Sequence, residues 1–574
     1  MTANNTLNGE NWLEHYPDGV SWDVPLKAES LINFMDAAVS RYGSKPCIDF
    51  LGRKYTYSEV GALIDQAAKG FQDIGVRKGT KVGLCLPNTP YSVICYFGVL
   101  KAGGIVVNYN PLYAERELAF QIEDSHTEIM VTMDLEVIYP KVSTMFTRTN
   151  LKKIVVCRMA GILPPLKSML FKLLKKSDIA KVPFDAQHIP FDTLIDNDGT
   201  PSPIDIEPME DIAVLQYTGG TTGQPKGAML THANLTVNAA QLRAWVDPSG
   251  ILRDGVERVI GVLPFFHVFA MTVVMNQGLS MGAELILLPR FELDMLLKTI
   301  HRTKPSLVPA VPTIYTAINH APNLKKYDLT SIRMCNSGGA PLPNEVRQEF
   351  ERLTGCYLIE GYGLSECSPV ASSSPPGGLN KEGSIGIPLP GTKLEIRNVE
   401  APHDLMPQGE SGEICIIGPQ VMKGYWDRPE ETAETIIEGR LHTGDVGYMD
   451  EDGYIFIVDR LKDVILCGGY NVYPRNIEEA IYLHPGVEEV TVIGIPDEYR
   501  GQCPKAFIKL KEGEALTEEG LKAFLADKIS KIEMPSAIEF RAELPKTMIG
   551  KLSKKELIAE EEAKTAALSQ KEAS

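Results

Sequence analysis

The chain has 574 residues, 44 % of them hydrophobic, and a formal net charge of −17. That length exceeds one ordinary core and the apolar content can fill more than one, so two or more domains of a globular protein are expected. So acidic a chain argues against nucleic acid as a partner, because phosphate backbones are bound by basic surfaces.

From about residue 26 to 107 helical and strand patterns alternate, with helices near residues 30–42 and 57–73 and a strand at 81–86. Alternation of this kind predicts α/β architecture. Further apolar strands are predicted at 129–132, 153–156, 212–216, 259–262 and 284–288, several divided by helix-length segments, which implies layered sheets. Residues 161–181, GILPPLKSMLFKLLKKSDIAK, stand apart. With Pro165 as a helix start, Leu166, Met169, Leu170, Leu173 and Leu174 recur on one face, while Lys167, Lys172, Lys175, Lys176 and Lys181 supply positive charge. Two readings stay open: a helix lying on an anionic membrane surface, or a helix capping the protein's own core.

Residues 217–232, YTGGTTGQPKGAMLTH, read as a nucleotide-phosphate loop. Gly219, Gly220 and Gly223 let the backbone approach an anion, Thr218, Thr221 and Thr222 add hydroxyl donors, and Lys226 adds a mobile charge. The ordinary P-loop is excluded, since Pro225 precedes the lysine and Gly227 stands where a hydroxyl should. Apolar runs on both sides make this a hairpin loop. Residues 259–283 carry no formal charge, yet Pro264, His267, Asn276, Gln277, Gly278 and Gly282 interrupt them, so a buried helix beside a pocket is expected in place of a membrane span.

Two loops follow predicted strands, SGGAPLP at 337–343 and EGYGLSECSP at 360–369. Ligands sit at such strand ends in open α/β sheets, and glycines beside an aromatic make a slot for a flat ring. From about Gly383 to Asp459 short strands with frequent Gly and Pro, such as 393–397 and 413–417, suggest a β-barrel-like subdomain. Within it Asp445 lies in a Thr-Gly-Asp turn suited to a diol, and Arg460 can donate to the same sugar or to a phosphate; a plain Asp459–Arg460 surface pair is the bland reading. Beyond residue 462 a small α+β unit is predicted, with helices at 475–483 and 517–532, strands at 487–494 and 505–511, and a frayed tail at 559–574. Lys551 follows Ile549-Gly550 in a loop, whereas Lys546, Lys554 and Lys555 read as a solvated face. Ten scattered cysteines without a C-x-x-C pair, and a start, MTANNTLNGENW, without a signal-peptide core, fit the cytosol.

These clusters, in this order, resemble the adenylate-forming superfamily of acyl-CoA synthetases, peptide-synthetase adenylation domains and luciferases. The resemblance implies a large N-terminal domain of residues 1–459, made of layered α/β sheets plus the barrel-like subdomain. It also implies a small mobile α+β domain of residues 460–574, swinging on a hinge at 459–462 with Lys462 at the pivot. Adenine would rest between Gly339-Ala340-Pro341 and the Glu360-Gly361-Tyr362-Gly363 segment, and ribose on Asp445 and Arg460. Glu366, with Thr218, would hold Mg²⁺. Lys551 would be the catalytic lysine between the substrate carboxylate and the ATP α-phosphate, His267 would sit beside that carboxylate, and Gly468-Gly469 would line a tunnel for CoA.

The pocket region 263–275, LPFFHVFAMTVVM, has no carboxylate to hold an amino group, so an apolar acid is the expected substrate. Together with the lead NGENWLEHYPDGV and the 161–181 segment, the strings look most like bacterial long-chain fatty acid–CoA ligases. ATP, Mg²⁺ and CoA are then the expected cofactor and co-substrates, fatty acid the substrate, and a second copy of the chain a candidate partner. Three alternatives stay open: a fatty acyl-AMP ligase loading a carrier protein, a synthetase for another apolar acid, and a membrane-bound lipid-binding protein without catalysis.

Overall fold

A computed structural model describes residues 11–183, 185–218, 225–467, 470–497, 499–546 and 552–572, apart from the side chains of 470, 471 and 565–572. The first sheet has seven strands, in the order His188–Pro190, Lys153–Cys157, Ile129–Met133, Lys81–Cys85, Ile105–Asn108, Ile212–Thr218 and Lys226–Thr231. All neighbouring pairs are parallel except the last, the phosphate-loop hairpin, which is antiparallel as its flanking apolar runs imply. The central strands are buried on both faces, so they read as continuous Val, Ile and Met runs. Helix Tyr57–Asp73 starts on a capping box, Thr56 accepting from the Glu59 amide while Glu59 reaches back to Thr56.

A second layer pairs Arg258–Gly261, Glu284–Leu287, Pro46–Phe50 and Arg53–Thr56. Single bridges through Leu307 carry it on to Met334–Gly338, Tyr357–Gly363, Val370–Ser373 and Ile387–Pro388. The stretch from Gly383 to Asp459 is an antiparallel sheet of five strands, which stays open and does not close into a barrel. Another five-stranded sheet, with Val487–Asp497 and Gly501–Leu510 as its long hairpin, occupies the C-terminal part.

Buried apolar residues from Trp12 to Ile455 form one cluster, and those from Ile465 onward form two smaller ones. All ten cysteines are buried and unbridged. Among the described residues no helix is long and apolar enough to cross a membrane.

Besides the open sheet, two expected helix boundaries need correction. The predicted helix 517–532 ends at Leu525, its next turns loosening before Pro535, which disfavours helix in the residue it follows. The expected frayed tail is instead helix, Lys554–Glu572. Ala, Glu, Lys and Leu are strong helix formers, Glu561 pairs with Lys564 at 2.6 Å, and Glu560 is held by Arg541 at 2.6 Å.

Candidate functional site

The strands Met334–Gly338 and Tyr357–Gly363 run parallel, with Ser337 beside Glu360 and Gly338 beside Gly361, so both predicted ring-binding loops leave the same sheet edge. Gly339 takes φ +84°, which favours glycine and turns the chain toward Ala340 and Pro341. At Gly363 a Cβ would fall 1.7 Å from the Pro369 carbonyl oxygen, so only glycine fits. Glu360 accepts from the Leu342 amide at 3.4 Å and thereby ties the two loops. Burial pushes its carboxyl up to about 7, with Arg475 and Arg347 opposing the shift.

Asp445 and Arg460 are cross-strand partners. Arg460 Nε lies 3.1 Å from Asp445 Oδ1, and the Tyr362 hydroxyl donates to Asp445 Oδ2 at 2.6 Å. Burial pushes the Tyr362 phenol well above its ordinary value, so it is a donor at every physiological pH. Asp445 itself is 4 % exposed. A diol bound here would share oxygens already engaged, each of which keeps a free lone pair.

Thr218 and Lys226 close the hairpin as its last register pair; Gly219, Gly220, Thr221, Thr222 and Gly223 lie outside the described residues. Sequence reasoning missed Tyr425. Its hydroxyl donates to Glu366 Oε1 at 2.7 Å, and the Lys226 ammonium sits 5.1 Å from its ring centre. The Met229 amide donates to the Gly424 carbonyl and the Trp426 amide to the Gly227 carbonyl, each at 2.8 Å, so this segment is laced onto the hairpin. The only sequence trace was the Gly424-Tyr425-Trp426 string, some two hundred positions from the loop it serves. Burial raises the Glu366 carboxyl, while the Tyr425 hydroxyl opposes that.

Phe265, Phe266 and Met275 line a narrow cavity of about 10 Å³ with Leu84, Leu86, Tyr96 and the polar Ser92 and Asn108. Residues Ala270–Asn276 form a π-helix, the buried helix expected here in a rarer geometry. Asn88, a second residue missed, fixes the loop leading to it: its amide donates to the Gly261 and Leu263 carbonyls at 3.0 and 2.6 Å and accepts from the Phe265 amide at 2.8 Å. His267 Nδ1 accepts from the Phe269 amide at 3.3 Å. The Phe269 ring is packed so closely on Gly338 that a Cβ there would lie 3.3 Å away. Thr272 donates to the Ser368 carbonyl at 2.7 Å and Gln216 to the Phe266 carbonyl at 2.9 Å. The apolar cavity, the hairpin and the ring-binding loops are therefore one assembly at the carboxyl ends of parallel strands.

Lys462 is exposed in the turn after strand Ile455–Arg460; Lys551, Gly468 and Gly469 lie outside the described residues. Lys554 is not part of a solvated face. Its ammonium is 3.3 Å from Glu478 and 3.7 Å from Asp463, with the side chain 18 % exposed.

Residues 35–426 match the AMP-binding enzyme family, and residues 476–551 match the AMP-binding enzyme C-terminal domain. The chain is 44 % identical to a long-chain-fatty-acid–CoA ligase of Bacillus subtilis (strain 168), over 96 % of its own length and 98 % of that protein's. It is 36 % identical to a long-chain-fatty-acid–CoA ligase of Escherichia coli O6:H1, with coverages of 95 % and 97 %. Among solved structures, the anthranilate CoA ligase AuaEII in complex with anthranoyl-AMP matches with a TM-score of 0.82 at 26 % identity, covering 95 % of this chain and 99 % of that one. With both family matches in order and the strand-end loops converging on one cleft, the chain belongs to the AMP-binding enzyme family.

Proposed function

We propose that this enzyme is a long-chain fatty acid–CoA ligase, which joins a fatty acid to AMP and then passes the acyl group to CoA. The observation that carries the reading is the apolar segment 263–275, which holds no carboxylate and is fastened through Phe269 and Thr272 to the loops that follow Met334–Gly338 and Tyr357–Gly363. Two similar full-length proteins bear the name of that activity. The fatty acid carboxylate attacks the α-phosphorus of ATP, pyrophosphate leaves, and the CoA thiolate then attacks the acyl carbonyl and displaces AMP.

Tyr362 with the Gly339-Ala340-Pro341 turn flanks the adenine, and the Asp445–Arg460 pair meets the ribose. Thr218 and Lys226 serve the phosphates together with loop 219–224, and His267 faces the substrate carboxylate. Glu366 fits Mg²⁺ as a hard oxygen donor set against a phenol and, with Thr218, would hold it; when bound, the ion neutralises charge on the pyrophosphate. Lys551 stabilises charge developing at the α-phosphate. Residues 1–459 and 460–574 act as two domains about the 459–462 hinge, the second presenting Lys551 for the first half-reaction and Gly468-Gly469 for the second.

The helix Pro165–Leu174 buries none of its residues, and Leu166, Leu173 and Leu174 are 65 %, 68 % and 75 % exposed. An apolar face left uncovered beside Lys172, Lys175 and Lys176 favours the membrane reading over the core-capping one, and an anionic bilayer is its partner. AMP release measured across a panel of fatty acids, with and without CoA, tests the function. CoA-dependent AMP release with long chains supports it. Acyl-AMP formation without thioester would reassign the chain to acyl-AMP ligases, and no ATP–pyrophosphate exchange would remove catalysis altogether.

A further inference from the structure

Strands Gly412–Ile417 and Arg440–Met449 run antiparallel, with Cys415 directly opposite His442. Glu413 stands two residues before Cys415, hence on the same face of the strand. His442 Nδ1 lies 2.7 Å from Glu413 Oε2 and 3.4 Å from Cys415 Sγ. One donor atom from each of the three lies within 4.8 Å of the other two. The cluster is sealed: the His442 and Glu413 side chains are 7 % and 11 % exposed, and Cys415 is fully buried.

Two features single this cluster out from an ordinary hydrogen-bonded pair. Among the described residues the only ionic partner of Glu413 is His442. Among the described residues the other ring nitrogen, Nε2, is buried without a hydrogen-bond partner, so it is open to carry the ring proton when Nδ1 takes a ligand. The nearby guanidinium groups of Arg397 and Arg440 do not compete for Glu413, because Glu395 binds both, at 2.6 and 2.9 Å.

We propose that Glu413, Cys415 and His442 form a binding site for one borderline-soft divalent cation, Zn²⁺ or Cd²⁺. Carboxylate and thiolate together balance the dication, and imidazole completes a mixed O, S, N set of the kind such ions take. With metal–nitrogen and metal–sulfur bonds of ~2.0 and ~2.3 Å, donor atoms around the ion stand roughly 3.2 to 3.6 Å apart. The sulfur–nitrogen pair already has that spacing, and the oxygen–nitrogen pair must open by about half an ångström. Glu413 Oε1 meanwhile stays on the Gly444 amide at 2.8 Å, which orients the carboxylate from behind. On binding, the Nδ1 proton moves to Nε2, and the Cys415 thiol proton leaves to solvent. Burial holds that thiol above its ordinary range, so affinity must climb with pH. The site adjoins the turn that carries Asp445, to which Glu413 is tied through the Gly444 amide, and does not depend on the identity of the acyl substrate.

Titration of the full chain with Cd²⁺, followed by the ultraviolet thiolate-to-cadmium charge-transfer band, tests the proposal. The band is expected to saturate at one ion per chain, with about one proton released, and to vanish in Cys415→Ser while the thermal midpoint is retained. Glu413→Gln, which keeps every thiol, is expected to weaken binding at least about tenfold. Absence of the band at saturating Cd²⁺, or its persistence in Cys415→Ser, overturns the site. Should the serine variant fail to fold, the Glu413→Gln titration decides alone, and unchanged affinity there overturns the proposal.

Discussion

The Tyr362 hydroxyl donates to Asp445 at 2.6 Å, joining the strand-end segment 360–363 of one sheet to the Thr443-Gly444-Asp445 turn of another. The same carboxylate holds Arg460 at 3.1 Å, so one aspartate sets the mutual position of Tyr362 and Arg460, the two groups proposed to meet the nucleotide with it. Tyr362→Phe keeps the ring and removes only this bond. A hydrogen bond to a charged group contributes about 1.5 to 3 kcal/mol, so kcat/KM for ATP is expected to fall by roughly 10 to 100 fold. An unchanged value would show that Arg460 alone suffices.

Lys551→Ala is expected to cut adenylation by about 10² to 10³ fold, the usual loss for one donor aimed at transition-state charge. Thioester formation from supplied acyl-AMP should survive better, and equal loss of both half-reactions would show that the lysine serves folding or both steps. Lys462→Pro should do the reverse, sparing adenylation while slowing thioester synthesis. Unaltered thioester synthesis in that variant would remove the hinge.

Glu360 makes stability depend on pH. Its folded value of about 7 exceeds its ordinary 4.5, so between those limits the folded state binds more protons than the unfolded one. Its favourable contribution is present below pH 4.5 and is lost as pH rises through 7. Asp459, pushed up to about 6 by burial, works in the same direction, and His232, pushed down to about 4, works in the opposite one. Comparison with Glu360→Gln isolates the one group. From pH 4.5 to 8 the variant is expected to gain on the parent by up to about 3 kcal/mol, less whatever solvent access to the cleft screens. Parallel thermal midpoints across that range would contradict the assignment.

The Pro165–Leu174 helix is expected to bind vesicles that contain anionic lipid and to release them as salt rises. Lys172→Glu, Lys175→Glu and Lys176→Glu together should abolish sedimentation with vesicles while leaving activity on soluble substrate intact. Equal sedimentation with neutral and anionic vesicles would sink the idea.

Each substrate methylene buried against the apolar segment 263–275 is expected to contribute ~0.8 kcal/mol, about fourfold in kcat/KM, until the pocket proposed there is filled. Between octanoate and dodecanoate the gain approaches ~3 kcal/mol as an upper bound. If butyrate or coumarate were used as well as dodecanoate, the cavity must be short or flat.

Much of this was legible in the chain itself. Helix Tyr57–Asp73 has the bounds its pattern predicts, because a capping box and an apolar stripe are local facts. The tight backbone at Gly339 and Gly363 was readable because strand-end loops have their own composition. Asn88 and Tyr425 were not, since Asn88 acts on Phe265 and Tyr425 on Lys226 and Glu366, all far away in sequence, and nothing local distinguishes such an asparagine or tyrosine from any other. Lys554 was misread for a related reason: its acidic partners, Glu478 and Asp463, lie far back in sequence. The terminal helix was missed because charge and small size signal disorder and helix alike.

Tyr425 bears on how portable the proposed nucleotide site is. Its ring meets Lys226 while its hydroxyl meets Glu366, and its neighbours hydrogen-bond along the hairpin. The glycine and threonine loop is therefore not a cassette. Transplanted into another scaffold without residues 424–426, the hairpin would keep its amides but lose the strut that registers its lysine against the carboxylate across the cleft. The antiparallel sheet region that supplies that strut is thus a working wall of the cleft, and recombination of homologues is expected to tolerate crossovers on either side of the pair formed by 217–231 and 424–426 far better than crossovers that separate its two halves.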